Sequence, residues 1–239
     1  MHGVTVDPDT RYARGLEWYK IYERLLTGES FDWSGDYYTL RGLATDPLPV
    51  QKPRPPVMSA AQSGDGQTFA AQASDILFTS MHSVDQVRDT VLRQTALAAL
   101  YNRRPDIYVQ TQIVCKPSRK EAEDWIHYYA GEKADQEALA YFRRQKAVTL
   151  SKSTREATSE ADKAVLASVQ PTDRKYAGIF PGMYPLVGSP DDLVEEFRKL
   201  EAIGVAGSAL VFLNYLQEMP YFVQEVLPRM ERAGLRRPI

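Results

Sequence analysis

Residues 56–79, PVMSAAQSGDGQTFAAQASDILFT, carry the clearest structural signal in the chain. Two short apolar segments within this stretch, 56–60 and 75–79, are typical of buried strands. Residues 64–72 between them read as a loop that leads into a helix. Because short strands separated by helices form parallel β/α units, the stretch predicts one such unit.

The same alternation continues towards the C-terminus. Apolar segments at 106–115 and 208–212 predict a third and a fourth strand. Helical periodicity predicts helices in three further segments: 84–101, 191–203 and 219–232. The sequence therefore predicts an α/β fold with four parallel strands.

A long segment separates the third and fourth predicted strands. Dense helical patterns cover residues 118–130 and 134–153, and a polar stretch follows them. A structureless loop of such length is uncommon in a compact domain. We therefore expect a helical insertion at about 116–187, between the last two strands, within a single domain spanning residues 1–239. Such an insertion would form a lid or a subunit contact.

A different pattern precedes the β/α units. A helix is predicted to begin at Asp9 or Thr10 and to end at Gly28. Aromatic-rich arms on both sides of a Ser-Gly pair predict a β-hairpin at 31–40. Five prolines within residues 47–56 predict an extended connector between the hairpin and the first parallel strand.

The number of parallel strands poses a packing problem. Four strands covered by helices on one face leave the other face and the strand edges open. A closed parallel barrel uses eight strands and about 250 residues. Either the chain is a small open α/β sheet, or it contains half of a TIM-type (β/α)8 barrel. The strand and helix patterns alone leave both alternatives open.

The composition is that of an ordinary globular protein, with 44% hydrophobic and 25% charged residues. A formal charge of −2 gives no reason to expect nucleic acid as a partner. No apolar run is long enough for a membrane span, and residues 1–8 lack a signal-peptide pattern. The single cysteine, Cys115, lies in a predicted strand. We therefore expect a buried thiol and a cytoplasmic protein without disulfides or a cysteine metal cluster.

Three segments carry a further signal through their order along the chain. The first joins Arg11-Tyr12-Ala13 to FDWSGDYY at 31–38, and the second is PVQKPRPPVMSAAQSGDG at 49–66. The third is YPLVGSP at 184–190, followed by a predicted helix and strand and by EVLP at 225–228. Together they resemble the luciferase-like FMN-dependent monooxygenases, in the branch that contains the pyrimidine and dimethylsulfone monooxygenases.

This resemblance implies a (β/α)8 barrel that binds reduced FMN at the C-terminal ends of its strands. A separate NAD(P)H-dependent flavin reductase supplies the cofactor, which reacts with O2 to oxygenate a small organic substrate. The resemblance also implies that the chain is truncated to the C-terminal half of the barrel, because the family's first four strands precede the segment matching Met1. Ala61 departs from the family, which usually has glycine there.

Ser63 is the strongest candidate for a cofactor contact. It lies between a predicted strand and a helix, where a glycine-containing turn presents backbone N–H groups to a phosphate. Serine is also a favoured N-cap, so the local sequence is explained without a ligand. The resemblance implies that Ser63 binds the FMN phosphate, with Gln62 and Gly64 as backbone contacts. It also implies that Arg11 and Tyr12 bind the same phosphate.

The histidines offer weaker candidates, and no catalytic residue is assigned. His82 follows the second predicted strand, so in a barrel it faces the active-site end and is a candidate contact for substrate or flavin. His127 lies between Trp125 and Tyr128, which favours aromatic packing. No grouping of His, Asp or Glu has metal-ligand spacing, and no nucleophile or base supports a hydrolase.

Two functional hypotheses follow. The leading one is a flavin-dependent monooxygenase whose working form includes the missing half of the barrel. The alternative is a non-catalytic half-barrel remnant that associates with another chain and has little affinity for flavin. In both cases the uncovered sheet predicts that the isolated chain is a homo-oligomer or poorly soluble. The sequence discloses no substrate beyond a small organic molecule.

Overall fold

The computed structural model describes residues 10–61, 63–141, 144 and 183–237. Its elements follow the predicted order, with a hairpin after the first helix and β/α units beyond it. The strands are β1 (Phe31–Ser34), β2 (Thr39–Leu43), β3 (Met58–Ala60), β4 (Ile76–Ser80), β5 (Asp106–Cys115), β6 (Tyr184–Gly188) and β7 (Val205–Val211). The helices are α1 (Arg11–Leu25), α2 (Gly64–Ala73), α3 (Val84–Ala99), α4 (Arg119–Ile126), α5 (Pro190–Ala202), α6 (Tyr215–Tyr221) and α7 (Leu227–Arg232).

The four predicted strands form one parallel sheet. β3 pairs with β4, and β4 pairs with residues 106–110 of β5. β7 pairs with residues 107–112 of β5, so β4 and β7 must lie on opposite edges of this strand. The resulting order β3-β4-β5-β7 confirms that the four predicted segments form parallel strands of one sheet. β7 begins three residues before the predicted 208–212 segment, at Val205.

A fifth parallel strand, β6, was not predicted. It pairs with residues 111–115, the C-terminal part of the ten-residue β5. The prediction of four strands, with an insertion at about 116–187 between the last two, was therefore wrong in this respect. Pro185 within a short segment argues against a strand when only local sequence is considered. Its pairing partner lies far away in the sequence, and only the folded β5 supplies it.

The predicted insertion is described only at its two ends. α4 continues into a π-helical segment, His127–Glu132, and residues 136–141 are also helical. These segments agree with the first helical pattern and the start of the second. The rest of the second pattern, apart from residue 144, and the polar stretch after it lie outside the described residues.

The helices cover one face of the parallel sheet. Along β4, Leu77 and Thr79 are buried while Ile76, Phe78 and Ser80 are only half-buried, as expected when successive side chains point to opposite faces. The covered face forms the main core, whose fully buried members include Leu77, Val109, Ile113, Leu186, Leu193 and Val226. On β3, Met58 remains 50% exposed. The sheet thus has one packed face and one open face.

The hairpin and α1 form a unit beside the sheet. β1 and β2 pair antiparallel around residues 35–38, which confirms the predicted hairpin. Glu17 of α1 accepts hydrogen bonds from Trp33 Nε1 (2.9 Å) and from the backbone N–H groups of Tyr37 (2.9 Å) and Tyr38 (3.0 Å). Desolvation opposes the ionised form, but these donors outweigh it and lower the pKa of Glu17. One carboxylate therefore fixes the hairpin turn to α1.

Arg54, in the proline-rich connector, ties α1 to the start of β4. Its Nε lies 3.1 Å from Glu23 Oε1, and its Nη2 donates to the Tyr19 hydroxyl at 2.6 Å. Its two terminal nitrogens both bond to the Asp75 carboxylate, and Arg103 also contacts Oδ1 of this carboxylate at 3.2 Å. Burial, followed by the hydrogen bond to Glu23, raises the pKa of Tyr19 to about 12. The connector is thus held by a bonded network.

Two smaller expectations are also settled by the fold. Cys115 is buried at the end of β5, and burial raises the pKa of its thiol to about 12, so the predicted buried thiol is confirmed.

The predicted C-terminal helix begins earlier than residue 219. Three helical segments, α6, a π-helical segment (Phe222–Val226) and α7, follow one another without a break from Tyr215. Among the described residues, no helix combines the length and the apolar character needed to cross a membrane.

Candidate cofactor site

The candidate site begins where β3 ends and α2 starts. Ser63 is the N-cap of α2, and its Oγ accepts a hydrogen bond from the backbone N–H of Gly66 at 3.1 Å. The first-turn amides of Gly64 and Asp65 belong to the set that has no partner within the helix. A ten-residue helix carries partial positive charge at this end. The loop therefore combines a hydroxyl with a helix N-terminus, at the edge where parallel β/α folds bind ligands.

A second hydroxyl comes from α1. The Tyr12 hydroxyl lies 3.2 Å from Ser63 Oγ, although 51 positions separate the two residues in the sequence. One of the two hydroxyls donates its proton to the other, and the proton of the second hydroxyl is available to a ligand. The structure thus brings together two of the three residues, Arg11, Tyr12 and Ser63, that the resemblance in the sequence pointed to.

Arg11, the third of them, lies beside this pair. Its guanidinium carbon is 4.8 Å from the centre of the Tyr12 ring, and the residue is exposed. A guanidinium in this position adds positive charge beside the Tyr12 ring and keeps its N–H fork accessible to an anion. Gln62, predicted as a backbone contact, lies outside the described residues.

Gly66 is a residue of this site that sequence reasoning missed. A Cβ atom at this position would lie 2.9 Å from the Tyr12 hydroxyl, 3.0 Å from Ser63 Oγ and 3.2 Å from the Ala61 Cβ. The absence of a side chain therefore lets α1 approach the first turn of α2. The sequence did contain one indication of this role. Glycine within a predicted helix lowers its stability by about 1 kcal/mol relative to alanine, so its presence indicates a close packing contact or a functional requirement.

The packing between α1 and α2 holds the hydroxyl pair in place. The Tyr12 and Phe69 rings lie 6.0 Å apart, and Gly15 faces the same Phe69 ring. Taken together, the site offers two hydroxyls, the first-turn amides and an arginine, with Asp65 as the acidic residue of that turn. Apart from Asp65, this donor set suits a small dianion such as a phosphate ester.

The neighbouring loops on the same edge of the sheet carry further polar groups. His82 follows β4, and its Nε2 lies 3.4 Å from Ser80 Oγ. Glu218 lies after β7. Its carboxylate accepts a hydrogen bond from Trp125 Nε1 of α4, the helix after β5, at 3.0 Å, and another from the backbone N–H of Leu213 at 3.0 Å. Glu218 thus fastens α4 to the loop that follows β7.

One expectation about the histidines is wrong. His127 was expected to pack between Trp125 and Tyr128, yet its side chain is 77% exposed and lies 3.9 Å from Glu132. Trp125 stacks on Tyr128 and contacts Tyr129 without it, because residues three and four positions apart share a helix face and a residue two positions away does not. Within the described part of the chain, no group of three or more His, Cys, Asp or Glu residues is arranged to hold a metal ion.

Comparison with known proteins places this geometry in a family context. Residues 1–207 match the family model described as luciferase-like monooxygenase. The FMNH(2)-dependent dimethylsulfone monooxygenase of Pseudomonas putida is 27% identical over 93% of this chain and 59% of its own length. The pyrimidine monooxygenase RutA of Cronobacter turicensis is 28% identical over 93% of this chain and 57% of its own length.

A solved structure shows the same fold. The crystal structure of DmoA from Hyphomicrobium sulfonivorans superposes with a TM-score of 0.75 at 20% identity, covering 96% of this chain and 57% of that one. The chain thus spans just under three fifths of the length of these relatives.

Proposed function

Because this chain belongs to the luciferase-like monooxygenase family, we propose that it forms part of a flavin-dependent monooxygenase and binds the phosphate of reduced FMN. The observation that carries the proposal is the Tyr12–Ser63 hydroxyl pair at the N-terminus of α2. The dimethylsulfone relative is named as FMNH(2)-dependent, which supports this choice of cofactor.

In this proposal the residues of the chain bind and orient, and they perform no covalent chemistry. One of the two hydroxyls donates its proton to the other, the second donates to a phosphate oxygen, the first turn of α2 contributes N–H groups, and Arg11 balances charge. The flavin, when bound, supplies the reaction with O2 that oxygenates a small organic substrate. A separate NAD(P)H-dependent flavin reductase provides the reduced cofactor.

A flavin titration with Ser63→Ala tests this proposal. We expect the variant to bind FMN about 10- to 100-fold more weakly than the wild type, because one charge-assisted hydrogen bond contributes about 1.5–3 kcal/mol. The measurement is the quenching of flavin fluorescence, or calorimetry, at fixed ionic strength. Oxidised FMN is a suitable probe because it carries the same phosphate.

A second N-cap serine provides the control. Ser118 Oγ accepts the backbone N–H of Glu121 at 3.2 Å, much as Ser63 Oγ accepts that of Gly66. Both alanine variants should lose about 1 kcal/mol of stability through the missing cap, but Ser118→Ala should keep the wild-type affinity for FMN. Equal affinity in Ser63→Ala and the wild type would contradict the proposed site, and a wild-type chain with little affinity for FMN would favour the non-catalytic remnant.

The open face of the sheet supports a further part of the proposal. Parallel sheets are normally covered on both faces, and the barrel that closes in this way has eight strands. β3-β4-β5-β7 supplies four such strands, and Met58 and half-buried Phe78 and Tyr108 lie on or beside the uncovered face. We propose that the working enzyme completes the barrel with further β/α units, which would also form most of the pocket for the flavin ring.

This part of the proposal predicts self-association of the isolated chain. An apolar sheet face and free strand edges favour contacts between copies. Light scattering after size-exclusion chromatography should therefore give a mass above the 27.0 kDa of one chain, in a concentration-dependent manner. A monodisperse 27.0 kDa species at high concentration would contradict the prediction.

A further inference from the structure

His82 lies one strand away from the phosphate-binding residues, at the same edge of the sheet. β3 and β4 are hydrogen-bonded neighbours with Ala60 opposite Phe78, and the backbone N–H of Ala61 still bonds to the Phe78 carbonyl at 3.2 Å. Ser63 and His82 thus follow adjacent strands, whose axes are about 4.8 Å apart in a sheet. A nucleotide anchored by its phosphate at Ser63 can span this distance with its ribityl chain.

The position of His82 is fixed by the elements on both sides of it. Its backbone N–H donates to Gln86 Oε1 at 3.1 Å, and the next residue, Ser83, is the N-cap of α3. The contact between its Nε2 and Ser80 Oγ holds the imidazole against the end of β4. The residue between them, Met81, is fully buried on the helix-covered side.

The neighbours of His82 form a polar group at the end of the open face. Ser80 is the Cα partner of Gln110 in β5, and paired residues of parallel strands point to the same face. The hydroxyl, the imidazole and the amide together provide donors and acceptors without a fixed charge. Such a set is matched to an uncharged heterocycle that carries carbonyl and N–H groups.

From this arrangement we infer that His82, oriented by Ser80, contacts the ribityl or ring portion of the flavin whose phosphate lies at Ser63. The inference rests on the proposed function and extends it from the phosphate to the uncharged part of the cofactor. Ser80 acts as a positioning residue for the imidazole, and His82 is the residue that touches the ligand.

Histidine NMR tests the inference directly, because the chain has three histidines. Spectra of the imidazole C–H groups are assigned with His82→Asn and His127→Asn, and the protein is then titrated with FMN, riboflavin and inorganic phosphate. We expect FMN and riboflavin to shift the His82 signal, and inorganic phosphate to leave it unchanged. His127, which is exposed on the π-helical segment, should not respond to any of the three ligands.

An affinity measurement complements the spectra. His82→Gln should weaken FMN binding about fivefold, which corresponds to one hydrogen bond of about 1 kcal/mol, and should leave phosphate binding unchanged. If FMN binds but the His82 signal stays in place, or if inorganic phosphate moves it equally, the inference fails while the phosphate site stands. If FMN does not bind the wild-type chain at all, the proposed function fails, and the inference fails with it.

Discussion

Replacing Arg54 with alanine is expected to lower the free energy of unfolding by about 3 kcal/mol. The Arg54 side chain is only 11% exposed and bonds to Glu23, to Asp75 and to the Tyr19 hydroxyl. Its removal separates α1 and the connector from the start of β4 and leaves partly buried carboxylates without their main counter-charge. This loss of stability is at the lower end of the range for a broken buried ion pair, because the side chains of both acidic partners are still about two fifths exposed to solvent.

Arg88→Ala is the matched control for this experiment. Arg88 pairs with Asp85 on the surface of α3, and both side chains are largely exposed. Exposed pairs of this kind contribute between zero and about 1 kcal/mol, so the control should unfold in urea almost like the wild type. If Arg54→Ala and Arg88→Ala proved equally stable, the network around Arg54 would have no structural importance.

The pH dependence of unfolding provides a second readout for Arg54. Burial by itself would raise the pKa of Asp75, but the hydrogen bonds from Arg54 and from Val57 N–H and the charges of Arg54 and Arg103 outweigh it, so this pKa is lowered. A lowered pKa in the folded state means that ionised Asp75 adds stability above its unfolded pKa, near 3.9, and loses it as the pH falls through the folded value. The difference between wild type and Arg54→Ala should therefore be full at pH 7 and shrink below about pH 4.

The β/α units could be predicted because their signals are local. The apolar segments that became β3, β4 and β5 stand between helix-forming segments, and short strands of this kind form parallel sheets. β6 could not be predicted in this way, since a five-residue segment containing Pro185 becomes a strand only where the far half of β5 offers it a partner. The same applies to Arg54, whose partners Glu23 and Asp75 lie 31 and 21 positions away.

The site shows the same division between local and long-range information. The sequence suggested Ser63 as an N-cap, and the structure shows this role through its bond to Gly66 N–H. The proximity of Tyr12 and Ser63 depends on how α1 packs against α2, which no local pattern encodes. The resemblance to the family supplied the pairing in advance, but it did not point to Gly66, because that requirement arises from the distance between two helices in this fold.

Gly66→Ala is expected to weaken FMN binding about 100-fold while changing the stability of the chain by no more than about 1 kcal/mol. The added Cβ would lie 2.9 Å from the Tyr12 hydroxyl and 3.0 Å from Ser63 Oγ, so these oxygens must shift from their places. The charge-assisted hydrogen bond from the hydroxyl pair to the phosphate is then lost together with the Tyr12–Ser63 contact that orients it, a loss of about 3 kcal/mol. Alanine is at the same time the better helix former by about 1 kcal/mol, which offsets the steric cost to folding.

Gly15→Ala separates this effect from a general change in the contact between α1 and α2. Gly15 faces the same interface, but its Cβ would meet the Phe69 ring at 3.4 Å, an ordinary van der Waals distance. This variant gains the same helix propensity without displacing a hydroxyl, so it should be slightly more stable than the wild type and bind FMN with unchanged affinity. Should Gly66→Ala also retain full affinity, the Tyr12 and Ser63 hydroxyls do not hold the phosphate, because their displacement would have had no consequence for binding.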